Sequence, residues 1–431
     1  MKTEKPSLSS YSIRNVSSLA MRGFSAAAPL ALIILLGGAY VPPALGVGPE
    51  GTRELKVIDL SGSPYMRGLQ HGKALRTEIG EVVNLWKEDL GRQTKTDPDI
   101  FIKKFLAETN FVPAIQKWTP DLLEEVKGIA DGAGLPFDTI FAFQLVDEMW
   151  VYIDQPAASH CSSMGVVKTG AHPAYVAQNL DLEAFRDGFQ VVLHIAANHS
   201  LPEQFIFTCA GLIAANGVNN RSIAIACNTL LQLSASRDGL PVAFVVRGVL
   251  AQISPENALK FLQGIKHASG QNYILGARDQ VFDFEASANK VVEFRPAMDG
   301  SIVYHTNHPL VNDDLKPWYL SMKQVAALFP EGKSQGDSET RLASVEKRLR
   351  QPASGIDEGV IKETLRSRDS SRHPVCRSRK EGDPVFTFGA TIMTLSDNPS
   401  LEVTMGPPDA NEFVHLKFDQ VPKAVREGRD N

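Results

Sequence analysis

Hydrophobic positions follow a helical period in the first half of the chain and alternate in short runs in the second. Between Pro64 and Trp150 the pattern predicts helices. In "TPDLLEEVKGIADGAG", Leu122, Leu123, Val126 and Ile129 share one face, Thr119 stands at the N-cap, Pro120 is the first helical residue and acids fill the first turn. Gly132 and Gly134 predict the end of this helix. A further apolar run, "FDTIFAFQLVDEMW", predicts one more helix leading toward a cysteine, Cys161.

After Cys161 the period changes to that of strands: "AYVAQNLDL", "FQVVLHIAA", "EQFIFTCAG" and "SIAIACN" are separated by Asn, Gly and Asp clusters. Helices return in "PVAFVVRGVLAQI" and in "SPENALKFLQGI", the second with Ser254 as cap and Pro255 at its start. Strands resume in "NYILGARDQVFDFEAS", "VVEFRP" and "SIVYHTNH", and "VFTFGATIMTL", "LEVTMG" and "EFVHLKF" predict a closing meander. Runs of strands separated by paired helices predict an α+β layered domain rather than a Rossmann alternation. The chain has no fixed-period repeat, GxGxxG or P-loop, so no cofactor is expected.

The N-terminus is set apart from this pattern. Lys2, Lys5, Arg14 and Arg22 precede the apolar run "AAAPLALIILLGGAYV", and small residues follow in "PPALGVG". This predicts a secretory signal over residues 1–46, with Ala44 and Gly46 at the small positions before the cut; an uncleaved membrane anchor is the alternative. The mature body is then expected in the periplasm or outside the cell. With 431 residues and 43% hydrophobic content the chain can bury an ample core. Lys+Arg number 44 against 49 Asp+Glu, a net charge of -5, and no basic run carries interleaved aromatics, which argues against a nucleic-acid partner.

Four cysteines, Cys161, Cys209, Cys227 and Cys376, with no CxxC, are too few and too scattered for a disulfide framework or a zinc ribbon. Cys209 and Cys227 lie in apolar strand text and read as small buried thiols, with a bridge between them as the alternative. Cys161 differs, because its flank "SHCSS" is polar and small. His305 and His308 stand three apart without a third ligand pattern, so no metal is expected.

Taken in order, "GSPYMRGLQHG", "LLEEVKGIADGAGL", the cysteine with hydroxyl residues behind it, "AQNLD", "HTNHPL", "SETRLASV", "VCRSR" and "MGPPDANEFVHLKF" carry a family likeness over roughly residues 55–420. The chain resembles the isopenicillin N acyltransferase family of N-terminal-nucleophile cysteine hydrolases. The resemblance implies a four-layer αββα sandwich and a nucleophile made by autoproteolysis. A cut between His160 and Cys161 would leave a helical small subunit, residues 47–160, and a catalytic large subunit, residues 161–431, together forming one fold. Cys161 would then carry its own general base, since an α-amine has an ordinary pKa of about 7.7–8.0. An internal cysteine would instead need a histidine such as His305 or His308, as in papain-like enzymes, whose "CGSCW" signature is absent.

By the same resemblance Asp181 orients the nucleophile and its amine, Asn307 gives a side-chain amide to the oxyanion hole, Asn228 adds a backbone N–H to it, and Arg341 flanks the thiol. Arg67, His71 and Gly72 are expected to pack and position. The chain departs from the family pattern at His160, in place of glycine, at Ser162, in place of threonine, and at Leu180, in place of an aromatic residue. The expected function is an exported amidohydrolase or acyltransferase that cleaves linear C–N bonds of small N-acyl amides through an acyl-thioester. Its partners are that substrate and its own two chains, with homo-oligomerisation left open. The alternative is an uncleaved, catalytically silent envelope binding protein with the same fold.

Overall fold

The period switch at Cys161 marks the passage from helices into sheet. The computed structural model describes residues 55–153, 160–170, 172–296, 300–328, 336–352 and 355–419; the expected signal or anchor over residues 1–46 lies outside them. The first part contains β1 (Val57–Leu60), α1 (Pro64–Ala74), α2 (Arg76–Thr94), α3 (Pro98–Glu108), α4 (Val112–Trp118), α5 (Pro120–Ala133), α6 (Phe137–Phe143) and α7 (Val146–Tyr152). The single helix expected over "FDTIFAFQLVDEMW" is therefore two. Gln144 stands at the break, where its amide donates to Ile140 O at 2.9 Å and Gly211 O at 2.8 Å and its carbonyl accepts from Ile213 N at 2.9 Å. Those bonds tie the helical part to the turn after β5 (Gln204–Cys209) and supply partners to backbone groups the turn leaves open.

Thr119 occupies the N-cap of α5, but its hydroxyl turns back to Ile115 O instead of capping the new helix. Gly134 ends α5 in the left-handed conformation at φ 72°. Gly132 lies inside α5, with Gly68 and Gly72 of α1 across from Gly128 and Gly132. A Cβ on Gly72 would come within 2.3 Å of Ile129 O, so the two backbones meet where only glycine fits. Arg67 and His71 are buried at this contact, in the packing role expected of them.

The second part begins with β2 (His160–Val166), β3 (Ala174–Glu183), β4 (Gln190–Ile195) and β5, then β6 (Asn216–Asn219), β7 (Ala224–Thr229), α8 (Val242–Leu250) and α9 (Pro255–Gly264). Ser254 caps α9, accepting from Asn257 N at 3.3 Å. There follow β8 (Gln271–Ala277), β9 (Gln280–Ala286), β10 (Val291–Glu293), β11 (Ile302–His305), α10 (Pro317–Leu328), α11 (Asp337–Arg350) and α12 (Glu358–Leu365). The expected meander closes the chain as β12 (Val385–Leu395), β13 (Ser400–Val403) and β14 (Val414–Lys417).

The strands form an eight-stranded sheet, β1-β4-β5-β6-β7-β8-β9-β10, and a six-stranded sheet, β11-β2-β3-β12-β13-β14. The sheets face each other, with β2 and β3 against β7, β8 and β9. Helix α8 covers the outer side of the first sheet, while Val345 and Leu349 of α11 and Ile361 and Leu365 of α12 pack on Met164, Val166, Tyr175 and Ile392 of the second. This is the αββα sandwich. Strand β1 joins the first sheet by parallel pairing with β4, so the helical part also contributes a strand. The four cysteines are free thiols. Cys209 and Cys227 sit on β5 and β7 with β6 between them, and two strand spacings of about 4.8 Å exceed the reach of a disulfide.

Candidate active site around Cys161

Alternation along β2 sorts its side chains between the two layers. Met164 and Val166 pack toward the α11–α12 layer and Ser162 bonds Arg341 of α11, whereas Ser163 reaches Asn228 on the opposite sheet. Cys161 shares the Ser163 side, facing into the space between the sheets, and is buried. Leu180 lies directly opposite it across the β2–β3 pair, and Asp181 lies opposite His160.

Two side chains converge on the backbone of Cys161. Its N–H donates to Asn307 Oδ1 at 2.7 Å, and its carbonyl accepts from Arg341 Nη1. Strand β11 pairs with β2, His305 opposite Ser163, so Asn307 emerges just beyond the end of that pairing and beside the start of β2. Asn307 is held on every side: Nδ2 donates to Thr229 O at 3.2 Å, its backbone N donates to Ser338 Oγ at 2.7 Å, and its carbonyl accepts from Gln232 Nε2 at 3.1 Å. Its amide oxygen thus faces Cys161, while its amide nitrogen, expected for the oxyanion hole, points to Thr229 O.

Arg341 is fully buried. Its Nη1 also donates to Ser162 Oγ at 3.0 Å, Nη2 donates to Asn307 Oδ1 at 3.0 Å, and Nε donates to Asp337 Oδ1 at 2.7 Å. The planar fork of a guanidinium reaches all four partners at once. Asp181 accepts from Thr387 Oγ1 at 2.7 Å and faces Arg377 Nε at 3.2 Å. Burial pushes its carboxyl up to about 6, against the pull of Arg377 and Arg341. Burial, reinforced by the Asp181 charge, likewise pushes the Cys161 thiol up to about 12.

Asn228 lies on β7, facing β2. Its Nδ2 donates to Ser163 Oγ at 2.6 Å and Asn272 Oδ1 at 3.1 Å, and its Oδ1 accepts from Gln178 Nε2 at 3.0 Å. Gln178 Oε1 in turn accepts from Asn216 Nδ2 at 2.7 Å. A line of buried amides thus crosses between the sheets and fixes β2 against β7.

A family profile described as "Acyl-coenzyme A:6-aminopenicillanic acid acyl-transferase" matches residues 168–406, more than half of the chain. The chain belongs to that family. The matched span holds Asp181, Asn228, Asn307 and Arg341; Cys161 and the helical part precede it. A relative, Protein dcd1A of Dictyostelium discoideum, is 27% identical over 118 residues, covering 24% of this chain and 26% of that protein, so the match spans about a quarter of the relative's length. Among solved structures, the Caenorhabditis elegans N-acylethanolamine-hydrolyzing acid amidase ortholog is 16% identical, covering 54% of this chain and 92% of that one, with a TM-score of 0.37. A conjugated bile acid hydrolase from Clostridium perfringens is 14% identical, covering 60% and 93%, with a TM-score of 0.42.

In this acyl-transferase family member the site also holds residues that the sequence did not single out. Asp337 bonds Arg341, Arg377 and His373, and Arg377 lies against Asp181. The spacing of Asp337 four residues before Arg341 on one helix was the available signal. Asp147 opens α7 and accepts from Thr229 Oγ1 and Gln271 Nε2, both at 3.0 Å. Burial pushes it up to about 6. Adjacent acids inside the apolar run "FQLVDEMW" were its signal. The two histidines of the papain-like reading are engaged elsewhere: His305 between Thr306 O at 2.8 Å and Glu285 at 2.9 Å, and His308 Nδ1 on Ser338 Oγ at 2.7 Å.

Proposed function

We propose that this protein is an exported, self-processing amidohydrolase that cuts its own His160–Cys161 bond and then hydrolyses linear amides of small N-acylated molecules. The grip of Asn307 on the Cys161 nitrogen at 2.7 Å carries this reading. In an uncut chain that nitrogen is a peptide N–H with no base strength. Once freed, it becomes an amine already oriented beside its own thiol, with Asp181 opposite the preceding residue to favour the ammonium form.

The amine takes the thiol proton and the sulfur attacks the substrate carbonyl. Developing charge on the carbonyl oxygen then calls for donors, and Asn307 Nδ2, now at Thr229 O, lies next to Asn228 along β7. Both proposed oxyanion donors therefore come from one corner of the site. Collapse expels the amine with the proton held by the Cys161 ammonium and leaves an acyl-thioester. Water resolves it; a cell-envelope setting has no ready acyl-coenzyme A, which favours hydrolysis over transfer. The helical residues up to His160 remain as the small chain and residues from Cys161 onward form the large one.

A silent binding protein is the competing reading, favoured by the buried thiol near 12 in the uncut chain. N-terminal sequencing of wild type and Cys161→Ala, with an amide panel, separates the two. The expected result is a large chain beginning at Cys161 in the active wild type and one inactive, unbroken chain in the variant. A folded wild type that stays unbroken and inactive would sink the proposal.

A further inference from the structure

Behind Arg341, which holds the Cys161 carbonyl, lies a carboxylate that also meets His160, His373 and Arg377. Asp337 is the first residue of α11, 22% exposed at its side chain. Its Oδ1 accepts from Arg341 Nε at 2.7 Å and lies 3.3 Å from His160 Nδ1. Its Oδ2 lies 3.0 Å from His373 Nδ1 and accepts from Arg377 Nη2. Arg341 holds the Cys161 carbonyl and Asn307, and Arg377 faces Asp181. Two guanidiniums and two imidazoles from four separate chain positions therefore meet on one anion.

We propose that Asp337 is the positioning residue of this site: it fixes both arginines about the nucleophile and anchors the side chain on the leaving side of the self-cleaved bond. This rests on the reading of Cys161 as a self-released nucleophile. The physics asks for such a group. Two guanidiniums beside one small site repel each other, and a shared carboxylate between them offsets that repulsion while fixing their planes. The same carboxylate takes up His160, so the imidazole that stands in place of the family glycine is tethered instead of loose. Strand β2 thereby starts at a defined place, with the scissile bond at its edge. The groups facing Asp337 are His160 from β2, Arg341 from its own helix, and His373 and Arg377 from the segment after α12, with Asp181 behind Arg377. They hold its carboxyl well below the usual range in spite of burial.

A purely structural helix pair between Asp337 and Arg341 would matter for folding alone. A positioning role makes two further demands. Removing the negative charge leaves the arginines unopposed, which favours the thiolate and moves the pH midpoint of Cys161 alkylation downward by about half a unit or more. Freeing His160 and loosening the plane of Arg341, while both guanidiniums stay beside the site, slows self-cleavage about tenfold or more.

The test compares full-length wild type, Asp337→Asn and Asp337→Glu, reading self-cleavage by intact mass, the pH profile of iodoacetamide alkylation at Cys161, and melting. The expected result is a folded Asp337→Asn chain that cleaves slowly and alkylates with a lowered midpoint, while Asp337→Glu restores the wild-type midpoint. Slow cleavage with an unmoved midpoint, or wild-type behaviour in both, would overturn the proposal. Asp337→Ser, smaller and neutral, repeats the comparison if the asparagine variant does not fold. If wild type itself stays unbroken, the self-processing reading fails, yet the alkylation midpoint still decides the role of Asp337, because its charge acts on the thiol in either state.

Discussion

Glu125 offers the sharpest test of what keeps the helical part on the sheets. It is fully buried on α5, with Arg67 Nε at 3.2 Å, and with Arg247 of α8 gripping both its oxygens, at 2.5 Å and 3.1 Å. Both arginines are buried as well. Glu125→Gln keeps the volume and one acceptor but leaves two guanidiniums without a counter-charge. Breaking a buried ion pair in this way costs about 3–5 kcal/mol, a fall in Tm of roughly 3–6 °C for a chain of this size. Replacing the whole triad, Arg67→Met, Glu125→Leu and Arg247→Met, removes the stranded charges together with their partner and should recover most of the loss. The acid limb adds a sign. Burial raises the Glu125 pKa, but Arg247 and Arg67 overcome it and hold the carboxyl below its ordinary value of about 4.3. Its contribution is therefore present above that value and is lost as pH falls through the lower folded one, a transition the Gln variant lacks. Thermal unfolding monitored by far-UV circular dichroism reads all of this. A Tm of Glu125→Gln within 1 °C or so of wild type would refute the triad as the clasp between the two parts.

Two other outcomes follow from the same geometry. Arg341→Lys replaces a fork with a single ammonium that cannot reach Asp337, Ser162, Asn307 and the Cys161 carbonyl together; amide hydrolysis should fall about a hundredfold while the fold persists, as steady-state kinetics and melting will show. His71 Nε2 accepts from Gly211 N at 3.1 Å and burial lowers its pKa to about 4. Between about pH 6.5 and that value the unfolded chain binds the extra proton, so stability falls on acidification by up to about 3 kcal/mol, and His71→Gln should flatten that slope in denaturant titrations.

The layers were legible because burial imposes a period. Leu122, Val126 and Ile129 announce α5, and the alternation after Cys161 announces sheet. Gln144 was not legible as a break, since an apolar run continues on either side of it and its reason lies in a turn 67 residues away. Helix α11 is mostly polar, with Arg341, Val345 and Leu349 as its buried line, so a charged residue occupies the first place of its apolar stripe. That hid the inward direction of Arg341 from composition, and the family likeness supplied it. Asn307 was singled out in the sequence and lies beside Cys161, but the direction of its amide was not legible, because Arg341, Cys161 and Thr229 set it from three distant segments. Asp337, His373 and Arg377 meet only when the sheet closes, which no local pattern records.

The central claim is that Cys161 acts as a chain-terminal thiol carrying an acyl group. Acid-quenching the purified protein during turnover of N-acyl amides and weighing its chains tests this most directly. The account predicts a large chain that begins at Cys161 and gains the mass of the acyl group on that residue, with the gain absent in Cys161→Ala. A chain that turns over substrate while unbroken at this bond, or with the acyl group on another residue, would contradict it.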